Sequence, residues 1–98
     1  MDFNRLTVKS QEAVAEAQEL ARRRGNPEVL PAHLLLALLD QELPQTLLGD
    51  EAAEVRAKAE ADVARLPALQ GAAQQPTAST ALSRVLDRAE EEMRKLED

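Results

Sequence analysis

The sequence predicts an all-α fold. Apolar residues occupy 44% of the 98 positions, but Ala and Leu supply most of them, and Phe3 is the single aromatic residue. Ala and Leu are strong helix formers, whereas strands favour aromatic and β-branched residues. Apolar positions also recur at helical spacing along most of the chain. We therefore expect close-packed helices and no strand.

The first predicted helix follows Thr7, whose hydroxyl is suited to accept an N–H group of the first turn. Apolar positions then recur at residues 13, 14, 17, 20 and 21. Gly25 fits the left-handed position after a helix, and Pro27 cannot continue one. The three arginines at 22–24 are interpreted as compensation of the helix dipole, since they lie at the carboxyl end.

The second predicted helix opens at Pro31, which is tolerated in a first turn. Leucines surround it on nearly every side, so it should be the buried central helix; they are Leu34, Leu35, Leu36, Leu38 and Leu39. About ten residues are too few to span a bilayer. His33 lies in its first turn and is interpreted as a structural histidine that bonds to a nearby turn.

Two further helices are predicted before residue 67. Pro44 opens a short one that stops at Gly49, and Asp50 is expected to cap the next. That helix presents one apolar stripe, made of Val55, Ala59, Val63 and Leu66. Pro67 closes it.

The domain organisation follows from the last third of the chain. Residues 67–78 have no apolar period and are predicted to be a linker between a first helical unit (1–66) and the helix at 79–98. The apolar face of that last helix consists of Leu82, Val85, Leu86, Ala89, Met93 and Leu96.

The last helix repeats the first in diverged form. An offset of 72 residues, the difference between 17 and 89, places Ala17 over Ala89 and Arg22 over Arg94. No second leucine-rich segment follows the second copy. Because a repeat unit needs its neighbour to bury its apolar face, we expect an incomplete second unit. Leu82, Val85, Leu86 and Met93 would then be uncovered, and the chain would be marginally stable.

The composition excludes several classes of function. A net charge of −6 argues against a nucleic-acid partner, and no segment is apolar enough to cross a membrane. There is no cysteine and no glycine-rich nucleotide loop, and the lone histidine cannot form a histidine cluster. Neighbouring acids such as Glu60 and Asp62 are typical of a solvated helix surface. We therefore expect no enzyme activity, no cofactor and no metal.

Three stretches resemble the N-terminal domain of the Clp family of AAA+ chaperones. They are the segment from Phe3 to Ala13, the segment from Gly25 to Leu39, and Ala64-Arg-Leu-Pro-Ala-Leu-Gln-Gly71. The third, which leads into the Gln- and Pro-containing linker, is most similar to the ClpB-type disaggregase. The resemblance covers essentially the whole chain. It implies two pseudo-repeated helical units, of which the second would be incomplete here.

The resemblance also implies a function. The whole protein would be a cytoplasmic homohexamer that uses ATP and Mg in later modules to extract aggregated polypeptide, together with a DnaK-type chaperone system. Its N-terminal domain would capture unfolded or aggregated polypeptide weakly in a shallow groove. The positions of this sequence that match the groove are Thr7, Leu86 and Asp98. The residues also permit a plain interpretation, in which Thr7 is an N-cap and Asp98 a turn residue.

Two departures from the family pattern keep alternatives open. Arg88 and Glu92 stand where disaggregase relatives can carry leucine, so recognition should be weak. Ala32 stands where ClpC-type domains carry a glutamate that helps to recognise phosphorylated arginine, and a guanidinium would lose a charged partner here. Adaptor or degradation-tag binding in a Clp protease is therefore the second hypothesis. A helical spacer without a ligand is the third.

Overall fold

A computed structural model describes residues 7–69 and 75–97. In these ranges the chain forms five α-helices: α1 (Val8–Arg23), α2 (Pro31–Leu39), α3 (Glu42–Leu48), α4 (Ala52–Ala64) and α5 (Thr80–Glu97). Two short strands, β1 (Glu28–Val29) and β2 (Thr77–Ala78), pair in parallel. The predicted all-α class is confirmed, and among the described residues this two-stranded pair departs from the expectation of no strand.

Local signals place the ends of α1 as predicted. Ser10 donates its N–H to the hydroxyl of Thr7 at 3.1 Å, which makes Thr7 the N-cap. At the other end Gly25 has a φ of 72°. The N–H of Asn26 then bonds to the carbonyl of Ala21 at 2.9 Å, and the N–H of Gly25 to Arg22 at 3.1 Å. These two bonds form the Schellman motif that ends many helices.

The second helix, α2, lies between α1 and α4 and contacts both extensively. Its prediction as the central helix is confirmed, because His33, Leu36, Ala37 and Leu39 are all buried. Pro31 occupies its first turn. Leu30 has no polar side chain to cap the helix, and the His33 ring accepts the N–H of Leu30 instead, at 2.9 Å.

The middle of the chain differs from the sequence prediction in two places. The helix α3 begins at Glu42, so Pro44 lies inside its first turn, where an N–H is not needed. Residues Gly49–Glu51 form a 3₁₀ turn before α4, whose N-cap is Glu51 without a side-chain hydrogen bond. The predicted capping role of Asp50 is therefore wrong, since the tight turn places it before the helix.

The core has two parts on opposite sides of α2. An alanine-rich part joins α1 and α2 to β1 and α5; its buried members are Ala13, Ala17, Ala21, Val29, Ala37, Leu82 and Leu86. A second part between α2 and α4 contains Leu36, Ala59 and Val63. Alanines on α1 allow the neighbouring elements to approach closely, which is how a chain with one aromatic residue packs a core.

The pseudo-repeat is visible in the caps but not in the burial. Ser79, 72 residues after Thr7, accepts the N–H of Leu82 at 3.0 Å in the same i to i+3 pattern. However, α5 buries Leu82 and Leu86, not the equivalents of the buried alanines of α1. Val85 is 46% exposed. The expectation that Leu82 and Leu86 would be uncovered is wrong, while Val85 does lie open to solvent.

The predicted division into a first unit, a linker at 67–78 and a last helix remains a prediction. Thr77 and Ala78, inside the predicted linker, form β2. Residues 70–74 lie outside the described part of the chain.

Candidate functional site

A groove of about 410 Å³ runs between α1 and α5. Apolar side chains from α1, β1 and α5 form most of its surface, and Gln18, Ser83 and Asp87 add polar groups. The lining residues, which define the α1–α5 groove, are Val14, Gln18, Val29, Ala78, Leu82, Ser83, Leu86 and Asp87. An apolar concavity with a few polar groups is the usual form of a binding site.

The strand pair determines where α5 stands relative to α1. Val29 and Ala78 are register partners, and both line the groove. The Ser79 N–H donates to the carbonyl of Val29 at 2.9 Å. From α1, the Gln18 Nε2 group donates to the carbonyl of Pro76 at 3.3 Å. Backbone pairing thus fixes the start of α5, and the groove follows from that placement.

On α5 the groove side is set by helical spacing. Leu82 and Leu86 are four residues apart and lie on one face, with exposed fractions of 3% and 9%. Both contribute to the alanine-rich core and to the groove lining. Leu86, named from the sequence, is therefore a groove residue in geometry.

Thr7 lies elsewhere. It borders a separate open depression of about 820 Å³ between the start of α1, the end of α2 and α3. Its hydroxyl donates to the Oγ atom of Ser10 at 2.9 Å while it caps α1, so the capping interpretation is confirmed. Asp98 lies outside the described residues. The structure therefore does not bring Thr7 and Leu86 into one cavity.

Comparison with known proteins identifies the family. Residues 5–98 match the family model described as "Clp repeat (R) N-terminal domain". The chain belongs to this family. A Clp N-terminal domain is not catalytic, and the expectation that this domain is not an enzyme is confirmed.

Similar proteins are chaperones named ClpB. This Clp N-domain is 44% identical to Chaperone protein ClpB of Mycobacterium tuberculosis over 84 residues, which cover 81% of this chain and 10% of that protein. It is 40% identical to the protein of the same name from Propionibacterium freudenreichii over 104 residues, which cover 100% of this chain and 12% of the relative. The chain thus spans about a tenth of the length of these relatives. The resemblance to ClpB-type N-terminal domains is confirmed.

The charged departures named from the sequence lie outside the groove lining of this Clp N-domain. Arg88 and Glu92 are on α5 and pair with each other at 3.1 Å (Nε to Oε1). Lys95 also reaches Glu92, at 3.3 Å. Neither Arg88 nor Glu92 belongs to the groove lining. Their charges are satisfied along the surface of α5 and leave the apolar part of the groove intact.

The second hypothesis, adaptor or degradation-tag binding, requires an acidic residue at the position that Ala32 occupies. Its methyl group is half-buried and packs against the core between α2 and α4. Ala32 offers no group that could bind a guanidinium, which counts against phosphoarginine recognition at this position.

In this Clp N-domain the arginines near the end of α1 form ion pairs at the surface, and His33 is buried. The three arginines near the end of α1 pair with Glu19, Glu16 and Glu60. Hydrogen bonding to Arg22 lowers the pKa of Glu19. Burial, and secondarily the charge of Arg24, lower the pKa of His33. The predicted structural role of His33 is confirmed, because its ring bonds to Leu30 and Asn26 in the preceding turn.

Sequence reasoning missed Gln18, Ser79 and the strand pair. Ser79 carried a usable signal, since the offset of 72 that defines the repeat places it over Thr7. Gln18 carried none, because its partner is a backbone carbonyl 58 residues away. Within the described ranges no helix is long and apolar enough to cross a membrane.

Proposed function

We propose that this Clp N-domain is the substrate-recognition domain of a ClpB-type disaggregase, and that it captures apolar segments of unfolded or aggregated polypeptide in the α1–α5 groove. The observation that carries the proposal is the open, mainly apolar groove between α1 and α5 in a chain similar to ClpB N-terminal regions. Ser83 and Asp87 along the groove offer polar groups to the main chain of an extended segment.

The size of the groove favours weak binding. Burial of two apolar side chains of the substrate would contribute roughly 3–6 kcal/mol. A dissociation constant of 1 mM corresponds to about 4 kcal/mol, before the cost of ordering the peptide is subtracted. A single domain should therefore bind in the millimolar to high micromolar range. Several domains on one ring would raise the apparent affinity through multivalency.

The rest of the proposal concerns the whole protein. We propose a cytoplasmic homohexamer whose ATP- and Mg-dependent modules act with a DnaK-type chaperone system, as the resemblance to ClpB implies. In such an assembly the weak capture by this domain would serve to deliver substrate, and the later modules would do the work of extraction.

A charge placed in the groove tests this function. Ser83→Glu adds a carboxylate to the lining, near the start of α5 where a negative charge suits the helix dipole. Ala81→Glu adds the same charge two residues away, at an exposed position outside the lining, and is the matched control. Binding of a reduced, carboxymethylated unfolded protein is followed by chemical-shift perturbation of the ¹⁵N-labelled domain.

We expect Ser83→Glu to weaken binding about tenfold, since an apolar segment would have to desolvate the new charge, and Ala81→Glu to leave it unchanged. Equal affinities in the two variants would contradict the groove assignment. The residues named from the sequence are tested in the same titration by Thr7→Ala combined with Asp98→Ala, and an unchanged affinity would remove those two from the site.

A second candidate function is self-association through the far end of α5. Leu96 is 87% exposed, and together with Val85 it continues the apolar side of an 18-residue helix. Sedimentation equilibrium over a wide concentration range decides it. A monomer at all concentrations would eliminate this candidate, whereas a dimer that Leu96→Glu dissociates would support it.

A further inference from the structure

A buried hydrogen-bond chain lies on the α2 side of the strand pair. The Leu30 N–H donates to His33 Nδ1 at 2.9 Å, and His33 Nε2 lies 2.9 Å from Asn26 Oδ1. Because Nδ1 accepts, the neutral ring carries its proton on Nε2 and donates it to Asn26. Asn26 Nδ2 in turn donates to the carbonyl of Pro67 at 3.0 Å. His33 has no exposed surface, and Asn26 is 4% exposed.

This hydrogen-bond chain holds residues 25–30 in place, and both the start of α5 and the segment after α4 are bonded to those residues. Leu30 and Asn26 flank β1, and carbonyls of residues 27–29 accept two N–H groups from the segment before α5. These bonds run from the Ser79 N–H to Val29 at 2.9 Å and from the Thr77 N–H to Pro27 at 3.3 Å. On the other side, the Leu69 N–H donates to the carbonyl of Gly25 at 2.8 Å. A movement of residues 25–30 would therefore displace both the start of α5 and the segment after α4.

We propose that His33 and Asn26 form an acid-labile latch that fixes the strand pair, so that protonation of His33 releases the start of α5 and opens the α1–α5 groove. A protonated ring carries N–H groups on both nitrogens. The new Nδ1–H would point at the Leu30 N–H, whose nitrogen lies 2.9 Å from Nδ1. Two donors would then face each other with no acceptor between them. A buried donor without a partner is unfavourable, so residues 25–30 must move to relieve it.

Among the charged and titratable groups on the surrounding elements, His33 is the one whose protonation changes the latch. Arg24 at the end of α1 disfavours a second positive charge on the ring. Glu60 on α4 pairs with Arg24 at 2.9 Å, and Glu28 on β1 is exposed. No residue of α2 or β2 is charged. Burial and Arg24 thus keep the ring neutral at neutral pH, and the latch opens only in the acid range. This inference concerns the position of α5 and holds whether or not the groove binds polypeptide.

The test is residue-resolved hydrogen exchange of the 98-residue chain between about pH 7.5 and about pH 5, with the imidazole signals of His33 followed in parallel. Exchange rates are corrected for the intrinsic effect of pH. As His33 protonates, we expect protection of the Ser79 and Thr77 amides to fall between about fivefold and a hundredfold. The Ala17 amide in the middle of α1 should keep its protection.

The control is His33→Gln, whose side-chain amide is polar and does not titrate in this range. Its Ser79 protection should be independent of pH. If this variant does not fold, the wild-type data decide alone. A His33 ring that titrates while Ser79 protection stays constant would overturn the latch. A parallel loss at Ser79 and Ala17 would also overturn it, because it would show global unfolding.

Discussion

Leu82 is the side chain that anchors α5, and its truncation gives the sharpest test of the packing. It is 3% exposed and packs in the core with Ala13 and Ala17, whose methyl groups cannot extend to fill a vacated space. Leu→Ala at such a site costs about 2–5 kcal/mol, and the lowest values apply only where the cavity can collapse. We therefore expect Leu82→Ala to lower the free energy of unfolding by about 3–4 kcal/mol.

The same helix supplies a control for that measurement. Leu96 is 87% exposed, so Leu96→Ala makes the same chemical change and the same change in helix propensity without a cavity. Its effect should stay within about 0.5 kcal/mol. Because a domain of this size has a stability of only about 5–15 kcal/mol, the two variants should differ clearly.

The assay is urea and thermal unfolding followed by far-UV circular dichroism. For a domain of this size, 3 kcal/mol corresponds to a fall in Tm of roughly 12–24 °C. Hydrogen exchange then shows whether the loss is confined to α5 or shared with α1. If Leu82→Ala and Leu96→Ala cost the same within about 0.5 kcal/mol, α5 is not docked through Leu82. The described placement of the helix would then be refuted.

Three further predictions concern Gly25, the Ser79 cap and the titration of His33. Gly25→Ala should lower the free energy of unfolding by about 2–3 kcal/mol, because φ is 72° and a new Cβ would lie 2.9 Å from the Leu69 carbonyl oxygen. Asn tolerates this φ, so Gly25→Asn should lose as much stability as Gly25→Ala if the clash dominates. Ser79→Ala should lower the free energy of unfolding, measured by chemical denaturation, by about 1 kcal/mol. Because Ser79 is the buried cap, a loss smaller than that of Thr7→Ala would contradict this prediction. The folded-state pKa of His33 is lowered, so the unfolded chain binds more protons below its ordinary value of 6.5. The free energy of unfolding should therefore have its full value above that pH and fall below it, until the folded ring also titrates. The same pH dependence of the free energy of unfolding in His33→Gln would contradict this.

Local patterns in the sequence were sufficient where the deciding interactions lie within a few residues. Thr7 caps α1 through a bond to Ser10, and Gly25 ends the helix with a positive φ, because both depend only on their own turn. Leucines on all sides of α2 identified it as central before any packing was known. The prediction for Asp50 failed at a turn, where several backbone paths are compatible with the same residues.

Burial along α5 illustrates the limit of such patterns. Its apolar positions form one continuous side, and the incomplete second repeat predicted that this whole side would be uncovered. In the fold, Leu82 and Leu86 are covered while Val85 is open, because the strand pair sets how α5 is rotated toward α1. Pairing between residues 28–29 and 77–78 spans almost fifty positions, and two-residue strands carry no periodic signal.

The sequence by itself determined the helical class, the central position of α2, the caps of α1 and the family, because short-range spacing and motif residues encode them. The tertiary structure decided which face of α5 is buried, where the α1–α5 groove opens and what His33 holds. Each of these depends on a contact between distant segments, such as Ser79 with Val29 or Asn26 with Pro67. Only the folded backbone brings those groups within hydrogen-bonding distance.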